Sequence, residues 1–299
     1  MFNKIESRAH SKILNREESK KLVNENYLRE INILKDIVNY GTNLIPRCFI
    51  SSQQRMQDIV IVSLLKNSIA MLDSVHILLS NGAVYSAQVP ARSLFETSLI
   101  IEWIFKEDTI LKAKYYYVWT IRKIHLILKK IGPGTPEQKR FKDKIKDFDP
   151  IFHKVYDDLG IPSKVGLVKA ENILNSSTYK HINEEFEKHR RNKDYDIIWY
   201  KPLGIGSIFK LAKDLNRTAE YELLYDQLSQ PIHGTALFQN INLKIDKVTF
   251  INIRNLEEFE MIVKIVCRYI INIYKSILEF YRPDEVKTFS NKVISNWHF

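Results

Sequence analysis

Two oppositely charged residues, Arg92 and Glu96, stand four positions apart in the otherwise apolar run ARSLFETSLIIEWIF, residues 91–105. Helical periodicity places both side chains on one face of this segment. Because an ion pair on a buried face has a large desolvation cost, the pair requires either good geometry or a function. Three interpretations follow: the pair tethers neighbouring helices, Arg92 faces a cleft and holds a phosphate, or the two residues form an ordinary exposed ion pair.

A second polar set, Tyr225, Ser229 and His233, has the spacing of one helical face. Pro231 interrupts it, since proline lacks a backbone donor and disfavours helix at the residue before it. We therefore expect one helix to stop near Ser229 and another to begin at Pro231. His233 then lies in a first helical turn, where the helix dipole favours the neutral imidazole and lets it act as a base. The alternative is a core histidine bonded to a carbonyl.

The excess of positive charge is concentrated in residues 121–147, which carry nine lysines and arginines and three acidic residues. This segment supplies +6 of the formal net charge of +10. Such a cluster attracts phosphates, so RNA or another polyanion is the expected partner. The alternative is a solvated face of a helical hairpin. The candidate RNA-binding residues are Lys129, Lys130, Lys139, Arg140 and Lys142.

The composition limits the class of protein. Only 9 glycines and 9 prolines occur in 299 residues, which argues against collagen-like and turn-rich β architectures. The 45% hydrophobic share argues against global disorder. Cys48 and Cys267 lie far apart and match no metal-ligand spacing, so we expect both thiols to be reduced. Charged residues interrupt each long apolar stretch, which argues against a membrane span. We expect a cytoplasmic protein with no membrane span. We also expect no cofactor and no protein-held metal, because the sequence contains no metal-ligand, P-loop, dinucleotide-binding or nucleophile-elbow motif.

Apolar residues recur with helical spacing along most of the chain, so we predict an all-α, multi-helix bundle. At most one short β-hairpin is expected, near 241–253, where apolar and polar residues alternate. Residues 1–50 are expected to form an N-terminal helical arm or packing helix, and residues 51–299 the main domain. The predicted helices are 17–45, ended by Pro46; 53–80, ended by Asn81-Gly82; 84–106, broken or kinked at Pro90; 108–131, capped by Asp108; 135 to about 160, opened by Thr135-Pro136; and 206–215, 217–230 and 255–281. Residues 161–205 are expected to be less regular, with a solvated helix at 180–194 and a loop around a buried Trp199.

The run LLKNSIAMLDSVHILLSNGAVYSAQVPARSLFETSLIIEWIF, followed by Trp199 and the Tyr-x-x-x-Ser-x-x-x-His segment, resembles an uncharacterised family of bacterial all-helical proteins of unknown function. The resemblance covers about residues 55–240 and implies an all-α fold. More distantly, the chain is similar to the HEPN proteins, small helical bundles that often act as ribonucleases in toxin–antitoxin and phage-defence systems. HEPN nucleases carry an arginine followed four to six residues later by a histidine, and the nearest spacing here is Arg122 to His125. A HEPN-type site is therefore expected to combine Arg92 and His233 across the fold.

The first functional hypothesis is a HEPN-like, metal-independent ribonuclease effector, or toxin, of a bacterial anti-phage defence system. His233 takes the proton from a ribose 2′-hydroxyl, and Arg92 stabilises the charged phosphorane. Glu96 orients Arg92, while Tyr225 or Ser229 donates hydrogen bonds to the phosphate. The basic segment holds the flanking RNA, and a homodimer completes the site, as the resemblance to HEPN proteins implies.

The alternative hypothesis is a non-enzymatic helical sensor or adaptor that binds a small ligand or a partner protein of a defence operon. Here Arg92, Glu96 and His233 form a buried polar network that fixes the register of neighbouring helices. The two hypotheses make opposite predictions for Arg92→Ala, which silences a folded enzyme in the first case and unfolds the protein in the second.

Overall fold

The computed structural model describes residues 13–132, 134–156, 164–191, 195–234, 241–244 and 247–297, and most of them are helical. The sheet found within these residues is a two-stranded antiparallel hairpin, in which Ile241 pairs with Phe250 and Leu243 with Val248. The predicted all-α class with one short hairpin is therefore confirmed. Backbone contacts group the chain into two units: a first unit of residues 1–107 and 211–299, and a second unit of residues 108–210.

In chain order the elements are α1 (Arg16–Asn26), α2 (Leu28–Ser51), α3 (Met56–Ser80), α4 (Val84–Lys106), α5 (Thr109–Ile131), α6 (Pro136–Phe148), α7 (Pro150–Val155), α8 (Lys164–Leu174), α9 (Lys180–His189), α10 (Ile208–Asp214), α11 (Thr218–Glu220), a π-helical turn (Tyr221–Tyr225), α12 (Asp226–His233), β1 (Ile241–Lys244), β2 (Lys247–Phe250), α13 (Phe259–Tyr281), a 3₁₀ turn (Pro283–Glu285), α14 (Val286–Thr288), a second π turn (Phe289–Val293) and a final 3₁₀ turn (Ile294–Trp297). From α11 through the first π turn to α12 the helical run is uninterrupted.

The core of the first unit forms around α4, which packs against α3, α12 and α13. The sequence places apolar residues all round α4, and the structure buries Leu94, Phe95 and Leu99 completely. On α13, Tyr269 and Tyr274 are also fully buried. This packing holds α4 in place, so that its polar side chains meet the helical run of α12 at defined positions.

Pro46 and Pro90 lie inside helices instead of ending or breaking them. α2 continues through Pro46, and the interruption in the segment predicted as 17–45 falls at Tyr27. α4 runs through Pro90 without a break. A proline removes one backbone hydrogen bond, and apolar burial around it, such as that of the fully buried Leu44, offsets the loss.

Three helix boundaries predicted from capping residues are confirmed. Gly82 follows α3 with a φ of 70°, in the left-handed conformation that glycine adopts without strain. The Asp108 side chain accepts a hydrogen bond from the backbone N of Leu111 at 3.2 Å. The Thr135 hydroxyl accepts one from the backbone N of Gln138 at 3.1 Å and so caps α6.

The helix that opens at Thr135 is shorter than predicted. α6 ends at Phe148, and Asp149 caps a separate α7 by accepting a hydrogen bond from the backbone N of Phe152 at 3.0 Å. Pro150 at the first position of α7 explains the break, because it cannot donate the backbone bond that would continue α6. The predicted end near residues 159–160 lies outside the described residues.

In the second unit, α5 packs against α6, α8 and α9. α9 is less solvated than predicted for 180–194, because Ile182 and Phe186 are completely buried. Trp199 is buried as predicted, and its ring centroid lies 5.4 Å from that of Tyr116 on α5. This aromatic contact holds the segment after α9 against α5, where it contributes to the site described below.

The N-terminal helices contribute to the core of the first unit, since α2 buries Leu34 and Ile37 completely. The division predicted at residue 50, between 1–50 and 51–299, stays a prediction; the boundaries of the two units fall at 107–108 and 210–211.

α3 is long and apolar enough to cross a membrane by length and composition, the one such helix in the described part of the chain. Its mean hydropathy is 1.4, and 44% of its apolar window is buried within the protein. A helix in the core of a globular unit meets the same criterion, and α3 packs there against α2 and α4.

Candidate functional site

In the first unit, α4 and the π turn bring Arg92, Glu96 and Tyr225 into direct contact. Arg92 Nε donates to Glu96 Oε1 at 3.1 Å, and Arg92 Nη2 donates to Tyr225 Oη at 2.6 Å. The Tyr225 hydroxyl in turn donates to Glu96 Oε1 at 2.9 Å. The guanidinium also lies over the Tyr225 ring, 4.6 Å from its centroid. The three side chains form a closed polar triangle that links α4 to the helical run of α12.

The polar groups of this triangle form most of their hydrogen bonds with one another. The Arg92 side chain is 17% exposed and that of Glu96 38%. Burial raises the pKa of Tyr225, the hydrogen bond from Arg92 opposes the rise, and the charge of Glu96 adds to it. Ser229, one turn further on, donates its hydroxyl to the Tyr225 carbonyl at 2.6 Å, so its donor is used within its own helix. These contacts favour the tethering interpretation of the Arg92–Glu96 pair over the phosphate-binding one.

His233 does not join the triangle, which corrects the predicted constellation. α12 continues through Pro231, and His233 is its last residue, exposed and with no hydrogen bond or ion pair to another described residue. The predicted helix start at Pro231 is wrong, and with it the positional reason for expecting a neutral imidazole. Burial of Leu228, 1% exposed, holds α12 through the proline. Gly234 then ends the helix with a φ of 65°.

The direction of the helices shows how far His233 lies from the triangle. Arg217 donates to Glu102 at 2.8 Å, whereas Tyr225 donates to Glu96 at 2.9 Å, so α4 and the α11–α12 run are antiparallel. His233 follows Tyr225 by eight residues, which places it about 12 Å further along the helix axis. This separation exceeds the reach of one hydrogen bond, so the triangle and His233 do not form one reacting site.

The second unit contains a cavity of about 480 Å³, which we call the second-unit cavity. Arg122, His125 and Lys129 share one face of α5 and form one wall of it. α5 therefore supplies an imidazole and two cations to the same wall. The remaining charged lining residues are Glu137 on α6, Glu171 on α8, Glu187 on α9, and Arg190 and Asp196 in the segment after α9.

The imidazole of His125 is paired with a carboxylate from another helix. Its Nε2 lies 3.3 Å from Oε1 of Glu171, and the His125 side chain is 18% exposed. Burial lowers the pKa of His125; hydrogen bonding to Glu171 opposes that shift, while the charges of Lys129 and Arg122 add to it. The ring is therefore neutral at pH 7 and is able to accept a proton.

Arg122 stabilises the wall of the second-unit cavity through several hydrogen bonds. Its Nε and Nη2 donate to the two carboxylate oxygens of Asp196 at 2.8 Å and 3.0 Å, and Nη2 also donates to Glu187 at 2.6 Å. Nη1 donates to the side-chain oxygen of Asn183. The side chains of Arg122 and Asp196 are each 5% exposed. Burial lowers the pKa of Arg122, but the bonds to the two carboxylates outweigh it and raise the pKa. This residue joins α5, α9 and the segment after it, so its role is to position the cavity wall.

Most of the charges that line the cavity are already paired. Arg122 forms ion pairs with Glu187 on α9 and with Asp196 in the segment after it. Oε1 of Glu137 lies 3.5 Å from Nη2 of Arg140. Lys129 has no ion-pair partner within the described residues. What remains available to a ligand is the His125–carboxylate pair and the ammonium of Lys129, one helical turn apart.

The five residues predicted to bind RNA all belong to the second unit, but they are not equivalent. Lys129 lines the cavity. Lys130 and Arg140 line a smaller pocket of about 80 Å³ beside it. Lys142 lies with its ammonium 5.2 Å from the centre of a tyrosine ring, and Lys139 is exposed on α6. The sequence therefore located the basic surface but not the cavity next to it.

The sequence singles out Arg122 and His125 only as the nearest approach to HEPN spacing. The partner of the imidazole, Glu171, lies 46 positions away on another helix, so no local motif joins the two. A signal that could have found the site is the helical face of Arg122, His125 and Lys129 inside the basic segment, where an imidazole stands among cations.

No group of three or more histidine, cysteine, aspartate or glutamate side chains able to hold a metal ion occurs among the residues that the structure describes.

A family model described as a family of unknown function (DUF5677) matches residues 58–247, more than half of the chain and a range that includes every candidate site residue named above. The match confirms the resemblance to an uncharacterised helical family, and it carries no link to the HEPN proteins. No curated protein and no solved structure matches the chain.

Proposed function

The chain belongs to the family of unknown function DUF5677, and we propose that it is a metal-independent ribonuclease whose reacting site is the second-unit cavity. The observation that supports this function is the position of His125, which lines the cavity, contacts Glu171 and has a lowered pKa. A neutral imidazole held by a carboxylate suits general-base catalysis. Lys129, on the same wall, supplies a cation for a reacting phosphate.

The reaction needs only groups that line this cavity and water. The neutral ring of His125 accepts the proton of a ribose 2′-hydroxyl through the nitrogen that does not donate to Glu171. The 2′-oxygen forms a bond to the adjacent phosphorus, and the bond from phosphorus to the 5′-oxygen breaks. The leaving oxygen takes a proton from water, and the resulting hydroxide takes the proton from the His125 imidazolium, which restores the neutral base. Lys129 offsets the negative charge that develops on the phosphorane. The products are a 2′,3′-cyclic phosphate and a 5′-hydroxyl.

This site differs from the one predicted from the sequence. His125 replaces His233 as the base, and the Arg92 triangle becomes a tether within the first unit. All the residues of the proposed site come from one chain, so it does not depend on the homodimer that the HEPN resemblance implies. The role of a toxin in defence then requires that expression of the active chain, and not of His125→Ala, arrests bacterial growth.

The direct test is cleavage of a 5′-labelled single-stranded RNA by the purified full chain in the presence of EDTA. Because one general acid–base group contributes about 10²–10⁴-fold, we expect His125→Ala to slow cleavage by about 10²-fold or more. His233→Ala is the matched control, since it removes an exposed histidine with no hydrogen bond or ion pair to another described residue, and it should cleave at the wild-type rate. RNA methylated at every 2′-oxygen should stay intact.

Two outcomes contradict this assignment. Equal cleavage by the wild-type chain and His125→Ala removes the second-unit cavity as the reacting site. Loss of cleavage in His233→Ala alone reinstates the constellation predicted from the sequence.

A second candidate, a non-enzymatic module that binds a small ligand, is favoured by one observation. Carboxylates outnumber permanently charged cations among the residues that line the cavity, four to three. Such a wall suits a ligand that carries hydrogen-bond donors or a positive group. In that case neither the wild-type chain nor His125→Ala cleaves RNA, and the substitution changes the affinity for the small ligand, as measured by titration calorimetry.

A further inference from the structure

A groove with aromatic walls lies beside the second-unit cavity. Its volume is about 360 Å³, and it shares Leu126 and Asp196 with the cavity wall. We call it the aromatic–lysine groove. The two spaces therefore adjoin each other, and His125 lines the cavity but not the groove. The other residues that line the groove are Trp119, Lys123, Ile127, Lys130, Tyr195 and Ile198.

The aromatic rings of the groove each have an ammonium group close by. Lys123 Nζ lies 4.5 Å from the centre of the Trp119 ring. Lys130 Nζ lies 5.3 Å from the centre of the Tyr195 ring, and Lys144 Nζ, from the smaller pocket next to the groove, lies 5.9 Å from the same ring. Tyr195 is nevertheless 61% exposed. A ring with an ammonium beside it matches the two parts of a nucleotide, a flat base and a charged phosphate.

Trp119 is held in place before any ligand arrives. Its ring centre lies 5.5 Å from that of Tyr116, and Tyr116 in turn packs at 5.4 Å against the fully buried Trp199. A ring fixed in this way loses little side-chain entropy on binding, which favours its use as a stacking surface.

We propose that the aromatic–lysine groove binds the unpaired nucleotides next to the cleaved phosphate, so that the substrate is single-stranded RNA; this inference rests on the proposed ribonuclease function. A base that stacks on Trp119 or Tyr195 displaces the ammonium from the ring, and the flexible lysine stem keeps the charge within reach of the phosphate of the same nucleotide. Bases in a duplex stack on each other and offer no free face, so double-stranded RNA does not bind in this way.

The charge of the surrounding segment complements this ligand. Lys123, Lys130 and Lys144 all belong to residues 121–147, whose formal charge is +6. The carboxylate of Asp196 faces the groove but is bound by Arg122 through two hydrogen bonds, so it repels a phosphate less than a free carboxylate would.

The experiment measures binding separately from cleavage. A fluorescein-labelled single-stranded RNA with 2′-O-methyl groups throughout, which cannot be cleaved, is titrated with the full chain and followed by anisotropy. We expect Tyr195→Ala and Trp119→Ala each to raise the Kd about tenfold, as loss of one stacked base does. Lys123→Met should lower the salt dependence of log Kd by about one charge. Phe148→Ala, which removes an 83% exposed aromatic ring outside the groove, is the matched control and should bind as the wild type does.

Folding and function are kept apart by two further variants. Trp119 is half-buried, so Trp119→Phe, which retains a stacking ring, should fold and bind with little change if the ring is what matters. His125→Ala should bind the methylated RNA with wild-type affinity while losing cleavage of ordinary RNA.

The outcomes separate the two proposals. An unchanged Kd in both Tyr195→Ala and Trp119→Ala, or tighter binding of a hairpin duplex than of the single strand, overturns the groove proposal and leaves the cavity assignment standing. Groove-dependent binding together with undiminished cleavage by His125→Ala supports the groove and overturns the cavity.

Discussion

Nε2 of His125 lies 3.3 Å from Oε1 of Glu171, and this contact joins α5 to α8 across 46 positions of the chain. A carboxylate only accepts hydrogen bonds, so the neutral ring carries its proton on Nε2 and its lone pair on Nδ1. The pair therefore fixes which nitrogen is able to take a proton from a substrate, and the proposed cleavage in the second-unit cavity depends on the charge of this ring.

The pH dependence of RNA cleavage should report the titration of His125. Burial lowers the pKa of the imidazole, so the neutral base persists to lower pH than in an ordinary histidine. We expect kcat/KM to be constant near pH 7 and to fall on the acid side, with a midpoint below about 6.5. Steady-state cleavage of labelled RNA between pH 4.5 and 8 measures this. A midpoint clearly above that value contradicts the role of this base.

The charges around the imidazole should move that midpoint in opposite directions. The ammonium of Lys129 lowers the pKa of His125, so Lys129→Met should shift the acid limb to higher pH. The carboxylate of Glu171 raises the pKa, so Glu171→Gln should shift the limb to lower pH and also reduce kcat, because the ring loses its orientation. Lys139→Met, at an exposed position of α6, is the control and should leave the midpoint unchanged. Shifts of the same sign in the first two variants would disprove the electrostatic account.

Removal of Arg122 should destabilise the second unit strongly. The variant Arg122→Ala leaves the carboxylate of Asp196, 5% exposed, without the two hydrogen bonds and the counter-charge that Arg122 supplies. Breaking such a buried pair costs about 3–5 kcal/mol of unfolding free energy. Urea unfolding followed by circular dichroism measures it. Lys188→Ala, which removes an exposed ion pair on α9, should cause little change, and Arg122→Met combined with Asp196→Asn should cost less than Arg122→Ala alone.

The fold was largely predictable because it depends on local patterns. Helical spacing located the major helices, and caps at residues such as Asp108 and Thr135 gave their starts, since a cap depends on one side chain and its nearest backbone donors. The helix boundaries predicted at Pro46 and Pro231 were wrong for the opposite reason. Whether Pro46 or Pro231 ends a helix depends on the packing around it, which involves residues far away in the chain.

The candidate site was predictable only in part, for the same physical reason. The contact between Arg92 and Glu96 is local to one helix, whereas the contact of both residues with Tyr225 was not predicted, although the resemblance to the helical family includes all three. His125 and Glu171 meet only because α5 and α8 pack against each other. A single sequence contains no signal for that contact. The helix start wrongly predicted at Pro231 favoured His233 as the base instead.

The role of the Arg92 triangle is tested by separating stability from activity. Tyr225→Phe removes the hydroxyl that bridges Arg92 and Glu96 but keeps the ring under the guanidinium, and Arg92→Ala removes the only cation that the described residues give to Glu96. We expect Arg92→Ala to lower the unfolding free energy by about 1–3 kcal/mol, towards the lower end because Glu96 is 38% exposed, and Tyr225→Phe to lower it by less. In both variants the cleavage rate per folded molecule should stay at the wild-type value, because the reacting groups lie on α5 and α8. Thermal unfolding and cleavage at a temperature where the variants remain folded give the two quantities. Loss of cleavage in Arg92→Ala with an unchanged unfolding midpoint would instead place Arg92 on a phosphate, as its spacing from Glu96 in an apolar helix first indicated.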